Sequence, residues 1–545
     1  MKSDRPFLGA AVEAADPQRA LVLALMNPAA FPHPVKEIRL IETHISYVLL
    51  TGHFAYKIKK AVNLGFLDFS SLAQRRFCCD EELRVNRRLV PELYLAVVSI
   101  GASPGGIAID GAGEPLEYAV KMREFPQTAL LDLCLSEGSL SPVQIDLLAE
   151  RVAEFHGQIA RAGAGDEHGT PASVWRPMSE TFKQLRETLP VVDGDASDLR
   201  LLNELETWSH DEHARLQGVL SARRHDGFVR ECHGDLHLGN IAWLNGAPQI
   251  FDGIEFNANL RWIDVMNEVA FLIMDLDERG RPDYACRFLN RYLDVTGDYA
   301  GLQLLPFYRV NRALVRANVA CIRAAQEGAP AGQAQAAICK QYLACARRAM
   351  APRARWLLLM HGLSGAGKST LALHVAEHSG ALCVRSDIER KRLCGLPERA
   401  HRPADGADSG IYDAETTRAT YLCLVQLARQ VLDAGFPVVV DAASLKFWQR
   451  EIFRSQARAQ GVRFRLLSCR AAETILQARL LARKQGGSDA SDADVAVLRQ
   501  QLQSSEPLTD VEQAAAWFVD SGDEALEREL GRITRELGQI AQEPR

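Results

Sequence analysis

The segment Gly362-Leu363-Ser364-Gly365-Ala366-Gly367-Lys368-Ser369-Thr370 has the composition of a loop that wraps phosphate. Its glycines let successive backbone N–H groups turn toward one anion, and the helix predicted over LALHVAEH adds its positive end. Lys368 is expected to reach the β and γ phosphates of a nucleotide and Ser369 to hold Mg²⁺. Two carboxylates stand where such chemistry needs them. Asp387 closes the strand-like run ALCVRSD and so projects from the sheet edge that carries the loop, where it could take a proton from an acceptor hydroxyl. Asp441 closes PVVVD and could hold Mg²⁺ through water. For each, the bland alternative is a helix N-cap. Arg390 lies one turn past Asp387, and Arg479 and Arg483 are spaced i,i+4. They could neutralise a transferring phosphate, or form a solvated basic helix face.

A second constellation is Cys232-His233-Gly234-Asp235-Leu-His237-Leu-Gly-Asn240, followed by IAWLNGAPQIFDGIEF. Asn245-Gly246 is a strong signal for a two-residue hairpin turn. Closing the turn there pairs Leu244 with Ala247, and stepping back pairs Asn240 with Phe251. Asn240 and Asp252 therefore meet at the open end of one hairpin, beside the loop that holds Asp235. Oxygen donors converging beside a third carboxylate suit Mg²⁺ bound to nucleotide phosphates. A plain polar turn would not need that clustering.

These two constellations resemble two known families. His233-x-Asp235-x-x-x-x-Asn240, then a strand and Asp252, follows the protein-kinase plan. Gly234 replaces the usual Arg and Asp252-Gly253 replaces D-F-G, and in both respects residues 36–350 resemble the aminoglycoside phosphotransferases. That resemblance implies Asp235 as catalytic base, Asn240 and Asp252 as Mg²⁺ ligands, and Asp264 as a buried brace for the catalytic loop. Tyr118–Phe125 would be the hinge that meets adenine. Phe54-Ala-Tyr-Lys57 reads like the V-A-I-K strand, with Lys59 facing the same way and the choice between the two lysines open. Glu82 is the expected helix partner, with Glu81 the runner-up; a Lys-rich edge strand is the alternative. Residues 355–505 resemble the small P-loop kinases, among them polynucleotide kinase and zeta-toxin relatives. GLSGAGKST, Ser386-Asp387-x-x-Arg390, VVVDA and the helix bearing Arg479 carry this likeness. By it Asp387 is the general base, while Arg479 and Arg483 belong to a lid. The whole is similar to a bacterial fusion of a phosphotransferase domain with an AAA-type P-loop domain.

The elements that must position these residues follow from periodicity. Strand-like runs at Ile38–Ile45, Tyr47–Thr51, Ala55–Ile58, Ala96–Ile100 and Tyr118–Arg123 surround a helix at Arg75–Leu89. Helical spacing then dominates at Ser141–Gln158, Trp262–Leu276 and Leu302–Ala325. The predicted fold class is α/β and α+β: a two-lobed kinase-like domain, then a doubly wound parallel sheet of five strands beginning at Trp356. The expected domains are a helical extension over 1–35, a kinase-like domain over 36–350 with its small lobe ending near 125, and a P-loop domain over 351–545. His156 reads as a packing histidine and His233 as an orienting one. Trp243, Trp262 and Trp448 read as core or hairpin packing.

Composition removes other classes. The chain has 545 residues, 47% apolar and 24% charged, so several folded units are expected rather than disorder. A net charge of −6 argues against a broad grip on nucleic acid, leaving only a local basic groove at Arg390–Lys391–Arg392 and Arg479–Lys484. No signal peptide or membrane-length apolar run is read, which points to a cytoplasmic chain with no membrane partner. Twelve scattered cysteines without a CxxC pair read as reduced thiols, and no zinc site is expected. The leading expectation is transfer of the ATP γ-phosphate, with Mg²⁺, to a hydroxyl-bearing small molecule at two sites. The rival is a nucleotide sensor that governs one working P-loop site.

Overall fold

The computed structural model describes residues 17–63, 67–192, 196–326, 331–397, 413–486, 494–522 and 526–540. It divides into two compact units. One joins the residues up to Ser139 with Glu231–Ile263, and the other joins Leu140–Arg230 with the chain from Asp264 onward.

In the first unit, six strands form one antiparallel sheet: Arg39–Glu42, Ser46–Leu50, Phe54–Lys59, Tyr94–Ser103, Gly106–Ile109 and Pro115–Arg123. Across the sheet, the last of these lies between the third and the fourth. Period-two alternation divides the third strand. Tyr56 and Ile58 enter a core with Tyr47, Leu49, Val98 and Ile100, while Lys57 and Lys59 are left to the other face. The helix Pro17–Ala24 adds Val22 to that core, so the described part of the N-terminal extension packs on this sheet. The strand Gly106–Ile109 was not foreseen.

The helix Leu72–Asn86 starts at an N-cap, Ser71, whose side chain accepts from Gln74 N. It lies over the Tyr94–Ser103 and Pro115–Arg123 strands. Farther along, Ile241–Leu244 and Ala247–Ile250 form the expected hairpin, with Leu244 opposite Ala247. Asn245 and Gly246 take φ of 53° and 77°, the left-handed pair that a tight hairpin turn requires. The Phe251 N–H donates to Asn240 O at 3.0 Å, so the register brings Asn240 and Asp252 to the open end.

The second unit contains long helices, among them Pro142–Gln158, Val265–Glu278, Pro282–Thr296, Leu305–Gln326 and Ala331–Met350. The helices Pro171–Val192 and Ala196–His225 were not anticipated. His156 is buried between Tyr292 Oη at 2.9 Å and Glu268 Oε2 at 2.8 Å. Asp264 caps the Val265–Glu278 helix and pairs with Arg223, which also holds Asp298.

The same unit holds the five-stranded sheet, parallel throughout as predicted. Its strands are Trp356–His361, Leu382–Arg385, Val438–Asp441, Arg463–Arg470 and Ala516–Asp520. They lie side by side in the sequence order second, third, first, fourth, fifth. The second strand is therefore an edge, with backbone groups in need of partners.

The Pro282–Thr296 helix and the turn after it supply them. Asn290 Oδ1 accepts from Cys383 N at 2.7 Å, and its Nδ2 donates to Ala381 O at 3.2 Å. Tyr299 Oη donates to Cys383 O at 3.3 Å. Asn290→Ala would leave the buried Cys383 N–H unpaired, while Ala381 O keeps the Cys286 thiol at 3.3 Å, for a loss of about 1 to 3 kcal/mol. Urea unfolding should show a lower midpoint; an unchanged midpoint would mean that this edge needs no cover.

Candidate functional sites

In the first unit, Lys57 Nζ lies 2.9 Å from Glu82 Oε1 and also meets Asp252. Lys59 Nζ lies 2.6 Å from Glu82 Oε2 and pairs with Glu255. Glu82 is fully buried between the two lysines, whereas Glu81 turns to Arg84 and Arg261. Lys59 is the deeper lysine, and Lys57 is the one that meets Asp252. Burial opposes the Glu82 charge, but Lys57 and Lys59 outweigh it and hold the carboxyl down to about 2. Burial likewise works against the Lys57 ammonium, and Asp252 and Glu82 together raise it. Glu255 is shifted the other way, upward, chiefly by burial.

Asp252 has φ of 64°, a conformation that costs a non-glycine residue free energy and recurs at functional sites. Its N–H donates to Tyr94 Oη at 3.1 Å. Asn240 Nδ2 donates to Asp235 O at 3.0 Å and Oδ2 at 3.1 Å, so the carbonyl oxygen is what Asn240 can offer a cation. His237 Nε2 lies 3.4 Å from the same Asp235 oxygen, a neighbour the sequence reading passed over. His233 Nδ1 accepts from Asp235 N at 3.3 Å, which leaves its Nε2–H to donate to Phe251 O at 2.8 Å. The ring thereby joins the loop of Asp235 to the strand end that carries Asp252. Gly234 has φ of 90°, and a Cβ there would stand 2.9 Å from Leu260 O, so an arginine does not fit this backbone.

In the second unit, the buried strand Trp356–His361 delivers the phosphate loop to the helix Lys368–Ser379. A Cβ on Gly362 would fall 2.4 Å from Cys469 O, and one on Gly365 2.9 Å from Leu476 O, so both positions demand glycine. Lys368 Nζ donates to Leu363 O at 2.9 Å, and Ser364 N donates to Gln501 Oε1 at 2.8 Å. The Gln501 side chain thus occupies one of the amides that a phosphate would use.

Around the loop lies a cavity of about 1060 Å³ lined by Lys368, Ser369, Asp387, Arg390 and Asp441. Asp387 sits in the first turn of the Ser386–Leu393 helix, whose N-cap is Arg385, and Asp441 ends its strand with no helix directly after it. Neither carboxylate is an N-cap. Arg390 is only 6% exposed and donates to Thr417 Oγ1 at 3.1 Å, which rules out a solvated face for it. Arg479 donates to Gly365 O at 3.2 Å and Ser521 Oγ at 2.7 Å, anchoring its helix to the loop. The side chain of Arg483 lies outside the described residues. Trp448, read as core or hairpin packing, is 40% exposed and borders the cavity with Tyr421 edge-on at 5.4 Å.

His361, just before the loop, lies 3.0 Å from Ser468 Oγ. Burial, then Arg450 and Lys368, push its pKa from the ordinary 6.5 down to about 4. The unfolded chain takes this proton while the folded chain refuses it. The contribution is therefore complete above about pH 6.5 and is lost as pH falls toward 4. In urea titrations across that window, His361→Gln should flatten the decline of stability with acid; an equal slope would contradict the assignment.

Two nucleotide-type folds, one presenting a Lys–Glu–Asp cluster and the other a phosphate loop, define a kinase-type phosphotransferase. The model of the phosphotransferase enzyme family matches residues 79–305, and that of the AAA domain matches 357–508. An uncharacterized protein of Mycobacterium tuberculosis, Rv2004c, is 33% identical over 478 residues, covering 86% of this chain and 91% of its own length. A counterpart in Mycobacterium bovis matches to the same extent. The chain belongs to the family of these mycobacterial proteins. Among solved structures, it is similar to a choline/ethanolamine kinase family protein from Mesorhizobium loti at 14% identity and a TM-score of 0.33, over 61% of this chain and 99% of that one. It is also similar to a gluconokinase from Sinorhizobium meliloti at 20% identity and a TM-score of 0.25, over 35% and 95%. No described helix is long and apolar enough to cross a membrane.

Proposed function

We propose that the chain transfers the ATP γ-phosphate to hydroxyls of small molecules at two sites, with the functional boundary between them near residue 350. The observation that carries this reading is that each site holds a carboxylate beyond the groups read as cation ligands: Asp235, which accepts from Asn240, and Asp387, which lines one cavity with Ser369 and Asp441. A site that only sensed nucleotide would not need that extra group.

At the first site Lys57, fixed by Glu82, meets the α and β phosphates, while Asn240 and Asp252 hold Mg²⁺. At the second, the backbone of Gly362–Gly367 and Lys368 cradle the phosphates, Ser369 and Asp441 hold Mg²⁺, and Arg390, Arg479 and Arg483 serve to neutralise the transferring group. Mg²⁺ supplies charge neutralisation at the phosphate oxygens. At either site the acceptor oxygen forms a bond to the γ phosphorus as the bond to the β,γ-bridging oxygen breaks. The hydroxyl proton passes to Asp235 or Asp387, and ADP leaves. This reading places the protein in the cytoplasm.

A nucleic-acid acceptor is disfavoured at the second site, because two of the cations read as a local basic groove, Arg390 and Lys391, are buried at 6% and 1% exposure. The test is Mg·ATP turnover by the full chain against pooled hydroxylated metabolites, aminoglycosides and 5′-hydroxyl oligonucleotides. Phosphorylated small molecules are expected. ADP release with no acceptor phosphorylated would reject the reading.

A further inference from the structure

Arg385 ends the edge strand of the parallel sheet, two residues before Asp387, with its guanidinium between two carboxylates. Its Nη1 is 3.3 Å from Asp294 Oδ2 and its Nε is 3.5 Å from Asp441 Oδ2. Asp294 belongs to the Pro282–Thr296 helix, far upstream of the phosphate loop, yet it lines the same cavity as Lys368 and Ser369. Asp294 and Asp441 are 8% and 7% exposed. Arg385 is partly buried; burial opposes its charge, and Asp294 followed by Asp441 more than restores it.

We propose that Asp294 is a positioning residue for the cation site of the phosphate loop, drawing Arg385 aside so that the Asp441 carboxylate remains available to a divalent ion. This rests on the reading of Asp441 as a Mg²⁺ ligand. An arginine stays charged at any working pH, so it competes with a cation for the carboxylate beside it. With Asp294 in place, its fork is divided between two anions. Without Asp294, the whole guanidinium turns to Asp441, and an incoming ion must displace it.

The arrangement is held from both sides. Asn290 fixes Cys383 two residues before Arg385, and Arg392 Nη2 donates to Asp294 O at 2.5 Å from the helix after it. Arg291 Nη1 adds a contact of 3.9 Å to the Asp294 carboxylate. The helical segment that precedes the P-loop sequence thus supplies a determinant of its metal affinity.

The experiment uses the full chain carrying Asp252→Asn, which removes the charged one of the two cation ligands proposed for the first site. Mn²⁺ binding in the presence of ADP is followed by the free-ion electron paramagnetic resonance signal, and ADP binding in EDTA by calorimetry. Asp294→Asn should weaken Mn²⁺ binding by about five-fold or more while leaving metal-free ADP binding as it was. Arg385→Gln should tighten Mn²⁺ binding, and Asp294→Asn with Arg385→Gln should match Arg385→Gln alone. Unchanged Mn²⁺ affinity in Asp294→Asn overturns the proposal, as does an equal loss of ADP affinity in EDTA, the mark of a merely structural role. Should Asp294→Asn fail to fold, Arg385→Gln decides: tighter binding supports the proposal, and unchanged or weaker binding overturns it. Asp441→Asn separates the two readings. If it leaves Mn²⁺ binding intact, the assignment of Asp441 fails and this proposal with it; if it weakens Mn²⁺ while Asp294→Asn is silent, only the role of Asp294 falls.

Discussion

Asp235→Ala is expected to lower phosphoryl transfer at the first site by roughly 10²- to 10⁴-fold, the range for loss of a positioned base. ATP binding should survive almost unchanged. The reason is geometric: Lys57, Glu82 and Asp252 form their own cluster, while Asp235 is held by Asn240 and faced by His237. On the proposed reading, the substitution removes the group that takes the acceptor proton and leaves the charges that meet phosphate. Steady-state kinetics with an acceptor from the library screen, beside calorimetric ATP binding, would read both quantities. Retained turnover would sink the assignment of Asp235. Loss of turnover together with loss of ATP affinity would instead indicate that the loop around Asn240 had collapsed.

The second large effect is expected from Lys368→Ala, a drop of roughly 10²- to 10³-fold in turnover at the phosphate loop, with the first site unaffected. Lys368 donates to Leu363 O, inside the loop it belongs to. On the proposed reading it meets phosphate oxygens there, where a compact ammonium on a flexible stem fits and a planar fork does not. Lys368→Arg should therefore recover little activity although the charge is kept. Acceptor profiles of Lys368→Ala and Asp235→Ala would be compared directly. Identical profiles would mean that one site performs all the chemistry.

Much of this was legible in the sequence where local rules decide. Asn245-Gly246 fixes the length of its turn, so the residues facing across the hairpin could be counted back to Asn240 and Asp252. The parallel sheet followed from five apolar runs alternating with helix-length segments. The difference between Lys57 and Lys59 was not legible, because period two sends both to one face and only depth and their distant partners, Asp252 and Glu255, distinguish them. The Pro171–Val192 helix was hidden by Pro177 and Pro190, which read as breakers but lie inside it. Gly106–Ile109 is a four-residue strand just after a turn, too short to show alternation. Trp448 read as core or hairpin packing because a large apolar ring is usually covered; in the fold it borders the cavity. Arg385 lay in plain view next to Asp387, but its partner Asp294 is 91 residues away, and no local pattern connects them.

The cover that Asn290 and Tyr299 provide for the Leu382–Arg385 edge has a bearing on how the protein is made. The ribosome delivers the Pro282–Thr296 helix well before that strand. When the strand emerges, its protector is already outside the exit tunnel, and the exposed ladder need not wait for a later partner. A chain begun artificially at Trp356 would reverse this order, releasing a bare sheet edge as newborn protein. Such a fragment is expected to accumulate as insoluble aggregates, while the full-length chain does not.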